Sequence, residues 1–163
     1  MADRDTRAEC RRTVVVNIAH LCADIGEQRR RLKAEAVEQA LAEYPSVKVV
    51  IDLHRDSILT DEGVAYRTSC TIDGAETAQL MFVVGTDAGG LYHPDWRDNL
   101  NFVSTLQYAL NRAYPSLMRP LNLRTQRFDQ HASPGSLLIE VGSSGNTLPE
   151  ALSACLRTFS RTK

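Results

Sequence analysis

The sequence predicts a single α/β domain over residues 1–163, with a mostly parallel or mixed central sheet and helices on both faces. Two observations carry this. Short apolar or β-branched runs, among them VKVVIDL (47–53), QLMFVVG (79–85) and SLLIEVG (136–142), alternate with segments of helical periodicity. No Pro/Gly/Ser-rich linker, internal repeat or low-complexity stretch divides them. At 163 residues the chain is long enough to bury one substantial core.

The elements follow in order. TVVVNIA (13–19) is rich in β-branched residues and reads as a short strand ending at His20. Residues 27–43 form a helix, because Leu32, Ala36, Val37, Ala40 and Leu41 recur at three- and four-residue steps. Tyr44-Pro45 stops it, since the residue before proline avoids the α region. VKVVIDL is continuously apolar, which predicts a central strand covered on both faces and breaking off at His54. AYRTSCTI (65–72) alternates and suggests a strand nearer an edge, followed by the Asp73-Gly74 turn signal.

QLMFVVG is a buried strand, and TDAGGLYHPDW (86–96) a loop with paired glycines. Residues 97–113 are a helix lined by Leu100, Val103, Leu106, Leu110 and Ala113. LRTQRF (123–128) is a possible strand, DQHASPG a loop, SLLIEVG a strand and SSGN a turn. The last helix is TLPEALSACLRTF (147–159), with Thr147 placed to cap it.

Composition narrows the function classes. The net charge of −1 gives no basic field to attract nucleic acid, and the basic run QRRRLK (28–33) reads as a solvated helix face. There is no run of about eighteen apolar residues, hence no predicted membrane span. The charged N-terminus MADRDTRAECRRT has no signal-peptide core, so the chain as written is expected in the cytoplasm unless further sequence precedes it. Cys10, Cys22, Cys70 and Cys155 lack CxxC or regular spacing and read as free thiols.

Two strands break the apolar pattern. In SLLIEVG, Leu137, Ile139 and Val141 share one face while Leu138 and Glu140 share the other. A carboxylate there is desolvated unless something compensates. The compensation is either an ion pair, with Arg55 or Arg127, or a functional role as a general base with a raised pKa near a metal-bound water. His54 is open in the same way: a hydrogen-bonded core histidine, or a functional group at a strand end, where α/β sheets collect them.

VKVVIDLHRDS, AQLMFVVGTDAGGLYHPDWRDNL and RFDQHASPGSLLIEVGSSGNTLPEAL together resemble the stage II sporulation protein P family, strongest over 44–157. These are peptidoglycan hydrolases of the zinc-dependent N-acetylmuramoyl-L-alanine amidase type. The resemblance implies an α/β fold, Zn2+ as cofactor, peptidoglycan as substrate, other engulfment proteins as possible partners, and a membrane-anchored place outside the cytoplasmic membrane. It makes His54 a zinc ligand and Glu140 the catalytic glutamate, and matches Asn146 to an asparagine just past that strand. Arg55, beside the ligand, and Asn146 are then candidate substrate-binding residues. Asp56 either orients an imidazole or pairs with Arg55.

The family's other two zinc ligands, a histidine and a glutamate, lie upstream of the His54 motif, and only 53 residues precede His54 here. Either TVVVNIAH is a shortened form of the first family strand, making His20 the second ligand and Glu27 the third, or it matches a later strand and both ligands are missing. The resemblance thus implies an N-terminally shortened chain. The alternative to an amidase is a catalytically incomplete fragment that binds peptidoglycan or docks on a partner.

Other features carry less. TDAGG lacks the phosphate-loop patterns and reads as a turn. His93 and Trp96 either line a sugar or peptide groove or pack within their loop. His131 either reaches the site or sits on the surface. A Cys70–His pair would suit a thiol protease but has no supporting motif.

Overall fold

The computed structural model describes residues 27–159, with side chains from residue 34 onward. The run at 13–19, His20 and the Glu27 side chain lie outside the described residues. The element order is α1 (Glu27–Glu43), β1 (Val50–Asp56), β2 (Ser69–Ile72), β3 (Ala75–Ala78), β4 (Leu80–Gly85), α2 (Trp96–Ala113), β5 (Asn122–Arg124), a 3-10 turn (Gln130–Ala132), β6 (Ser136–Ser143) and α3 (Leu148–Phe159). The domain is α/β, as the sequence predicts.

Among the described residues, four strands form the main sheet in the order β1-β6-β4-β5. β1 runs parallel to β6 and β4 parallel to β5, while β4 and β6 are antiparallel. The sheet is therefore mixed. β2 and β3 make a separate antiparallel hairpin. Its turn needs left-handed backbone at both central positions, and Asp73 and Gly74 supply φ values of 50° and 77°.

Side-chain alternation divides the sheet into two faces. Leu80, Phe82 and Val84 of β4 and Leu137, Ile139 and Val141 of β6 form the main core with Val103 of α2 and Ala154 of α3. Ile51 and Leu53 of β1 join from the edge. Burying each of the larger side chains contributes about 1.5–3 kcal/mol. The opposite face carries a smaller cluster, Met81, Val83 and Leu138, with Phe128 packed on it. Glu140 belongs to this second face.

Four expectations are corrected within the described residues. Among the described residues β1 pairs with β6 alone and is half-buried along most of its length, where the sequence predicts a strand covered on both faces. Its alternation begins at Asp52, so the apolar run gives way to a mixed face before the strand ends. Nor does the strand break off at His54, since β1 continues to Asp56. Finally, the strand expected over 123–128 is limited to Asn122–Arg124, and the one expected over 65–72 starts only at Ser69. The limits of α1, β4, α2, β6 and α3 lie within one residue of the sequence reading.

Candidate functional site

His54 and Glu140 are register partners on the adjacent parallel strands β1 and β6. Register partners present their side chains to the same face, so the two groups converge. Asp52, two residues before His54, shares that face. Its Oδ1 lies 3.1 Å from His54 Nε2. At the end of β1 the register shifts between His54 and Asp56. Asp56 Oδ2 accepts a 2.8 Å hydrogen bond from Arg119 Nη1. The face thus gathers one imidazole, three carboxylates and one guanidinium.

Glu140 is the least compensated member. Its Oε2 is buried and has no hydrogen-bond partner among the described residues. Burial pushes its pKa up from 4.5 to about 7; His54 and Arg119 oppose the rise, while Asp56 and Asp52 add to it. A carboxyl with that pKa exchanges protons near neutrality. The ion pair expected with Arg55 or Arg127 does not form. Arg127 donates to the Tyr92 carbonyl instead, at 3.1 Å.

Arg55 points to the other face of β1 and fastens the β6–α3 loop. Its Nε donates to the Ser143 carbonyl at 2.8 Å and its Nη2 to the carbonyls of Ser144 and Asn146. Asn146 is buried in the same loop. Its Oδ1 accepts from the backbone N–H groups of Thr68 (3.2 Å) and Ser143 (2.8 Å). Its Nδ2 donates to Thr68 O and Glu150 Oε2, both at 3.0 Å. These contacts make Arg55 and Asn146 framework residues of this loop. Asp56 takes neither expected role, since its partner is Arg119.

The loop is built to hold this shape. Gly142 sits at φ 68°, and a Cβ there would come within 2.6 Å of Asn146 Oδ1 and 2.9 Å of the Ala78 Cβ. Thr147 and Glu150 form a reciprocal cap on α3: the Thr147 N–H donates to Glu150 Oε2 at 2.9 Å and the Glu150 N–H to Thr147 Oγ1 at 3.5 Å. The Asn146 amide and the Thr147 N–H hold the Glu150 carboxyl below its ordinary range.

Zinc can be tested against these side chains. The donors are right in kind, nitrogen and oxygen around a buried orphan oxygen. They are incomplete in number: among the described residues no three His, Cys, Asp or Glu side chains come together in a way that could hold a metal ion.

His93 does not line a groove; it is buried at 1% exposure. His131 is half-buried and pairs with Glu38 of α1 at 3.6 Å, not with Glu140. The sequence reading missed Asp52 and Arg119. Asp52 could have been found from its i, i+2 spacing to His54, whereas Arg119 has no local signal.

A family model described as stage II sporulation protein P matches residues 31–157, well over half of the chain. Stage II sporulation protein P of Bacillus subtilis (strain 168) is 28% identical over 119 residues, covering 70% of this chain. The match spans only 27% of that relative's length. No solved structure matches. Among the described residues, no helix is long and apolar enough to cross a membrane.

Proposed function

The chain belongs to the stage II sporulation protein P family, and on that premise we propose that it is a peptidoglycan hydrolase of the N-acetylmuramoyl-L-alanine amidase type, acting in sporulation-related wall remodelling. The family assignment supports a sporulation role. The observation that carries the chemical reading is Glu140: a buried carboxyl with its pKa pushed up to about 7, in register with His54.

In this reading Glu140 is the general base and acid. Its ionised carboxylate takes a proton from the attacking water and returns it to the amine that leaves when the lactyl–alanine amide breaks. His54 is one zinc ligand, Asp52 holds its imidazole, and His20 is the second ligand. Zinc, when bound, would polarise the scissile carbonyl and make water a better nucleophile at neutral pH. In the same reading the protein acts outside the cytoplasmic membrane, where its substrate lies, with other engulfment proteins as partners.

The test is to incubate the full chain with purified peptidoglycan and supplied zinc, then analyse the soluble products by mass spectrometry. Peptides beginning with a free L-alanine amine, with matching glycan that has lost its stem, are expected. Sedimentation of the protein with peptidoglycan and no released peptide would replace the amidase with a binding role.

A further inference from the structure

We propose that His93 and His131 form an acid-operated latch: protonation of this pair releases the β4–α2 loop from the connection that leads into β6, and so opens the sheet face that carries Glu140. This lies outside the amidase reading and does not depend on it.

The latch joins two segments. His93 lies in the loop between β4 and α2, and His131 in the 3-10 turn before β6. Gln130 pins that turn to the end of β4, accepting from the Gly85 N–H at 2.8 Å and donating to Val83 O at 2.7 Å. Arg127 Nη1 donates to Tyr92 O, tying the residue beside His93 to the same connection.

The His93 imidazole is left without a hydrogen-bond partner among the described residues, and His131 keeps only the 3.6 Å contact of its Nε2 with Glu38. Both ring nitrogens of His93, Nδ1 of His131 and Nε of Arg127 are buried without a hydrogen-bond partner among the described residues. A neutral imidazole tolerates this at a cost; a charged one gains a second buried N–H with no acceptor. Burial first, then the charges of His131 and Arg127, hold the His93 pKa below 6.5, against the weaker pull of Asp95 and Asp87. Burial and then Arg127 do the same to His131, against Asp129 and Glu38. Glu38, the group closest to a counter-ion, is largely exposed.

The consequence reaches the candidate site through Phe128. It sits between Arg127 and the turn in left-handed backbone, at φ 54°, and packs on Met81, Val83 and Leu138. Met81 is the antiparallel register partner of Glu140. Left-handed backbone at a non-glycine residue is strained, which favours release once the latch is charged. Lifting this segment uncovers the apolar patch beside Glu140.

The sign follows from linkage. The unfolded or opened chain takes up protons near pH 6.5, whereas the closed latch resists them. The closed form is therefore fully favoured above pH 6.5 and loses ground as pH falls through the histidine range.

Trp96 is the single tryptophan and lies three residues after His93. Its emission, followed on the full chain from pH 7.5 to 5, reports the latch. The expected result is a reversible red shift with a midpoint below pH 6.5 while the far-ultraviolet dichroism stays constant. The shift persists in Glu140→Gln, which excludes Glu140 as its source. In His131→Phe, and in His93→Phe measured separately, the shift disappears. Emission that is flat with pH in the parent protein overturns the proposal, as does an unchanged transition in whichever histidine variant folds.

Discussion

His54 on β1 and Glu140 on β6 face each other as register partners across two hydrogen-bonded parallel strands. Far apart in sequence, they share the sheet face that α2 and α3 leave alone. Asp52 stands 3.1 Å from the imidazole. Asp56, held by Arg119, closes the end of the group.

Glu140 makes stability depend on pH in an unusual direction. The folded protein keeps its proton up to about pH 7, against 4.5 for an ordinary glutamate. Between those values the folded state binds more protons than the unfolded one. This contribution is present below pH 4.5 and is lost as pH rises through about 7. Glu140→Gln removes it, so the stability difference between variant and parent grows in the variant's favour from pH 4.5 to 7. Denaturant melts across that range check this; a difference that does not change with pH contradicts it.

The same carboxyl sets the rate profile. A base that must be ionised gives an amidase activity rising with pH to a half-maximum near 7, the value to which Glu140 is pushed. Initial rates on purified peptidoglycan from pH 5 to 8.5 measure it. A profile that is flat through pH 7 removes Glu140 from the role of base.

Asp52→Asn keeps the size of the side chain but removes the charge beside His54. A carboxylate that orients a functional imidazole is worth roughly 10–100-fold in activity or metal affinity. The variant is expected to fall in that range with its thermal midpoint little changed. A variant as active as the parent would leave Asp52 without a functional part.

Arg55→Ala is a stability variant. Three loop carbonyls lose a charged donor, those of Ser143, Ser144 and Asn146. The expected loss is about 2–4 kcal/mol, given that hydrogen bonds to charged groups contribute roughly 1.5–3 kcal/mol each and the exposed ones less. Arg55→Lys recovers only part, because an ammonium cannot reproduce the planar fork. Urea melts with unchanged slope give the number. Loss of activity at full stability would return Arg55 to the substrate side.

Asn146→Ala leaves the buried Thr68 and Ser143 N–H groups without their acceptor. A cost of about 2–4 kcal/mol follows from two unsatisfied donors. Gly142→Ala, strained by its positive φ and by contact with Asn146, is expected to destabilise as well. The two losses are expected to be non-additive, since both disturb one contact.

Much of the fold was legible because the signals are local. The apolar stripe and Tyr44-Pro45 gave α1, the Asp73-Gly74 pair gave the hairpin turn, and Thr147 with Glu150 gave the start of α3. The number of neighbours of β1 was not legible, because an apolar run does not reveal them; among the described residues its partner is β6. At the site, Glu140 stood out as a charge in an apolar strand and His54 through its motif. The loop contacts of Arg55 and Asn146 were not legible, because a strand-end arginine and a loop asparagine look alike in sequence whether they bind substrate or backbone groups. Arg119 was invisible, since only the fold brings it to Asp56.

A double-mutant cycle on peptidoglycan cleavage tests most directly whether His54 and Glu140 work as one unit. Activity is measured for the parent, His54→Ala, Glu140→Gln and the double variant, each confirmed as folded. Groups that act on the same step give strongly non-additive losses. The prediction is that each single variant abolishes most of the activity and that the double variant is no worse than the weaker single one. Losses that multiply independently, or a Glu140→Gln variant that still cleaves at the parent's rate, would contradict it.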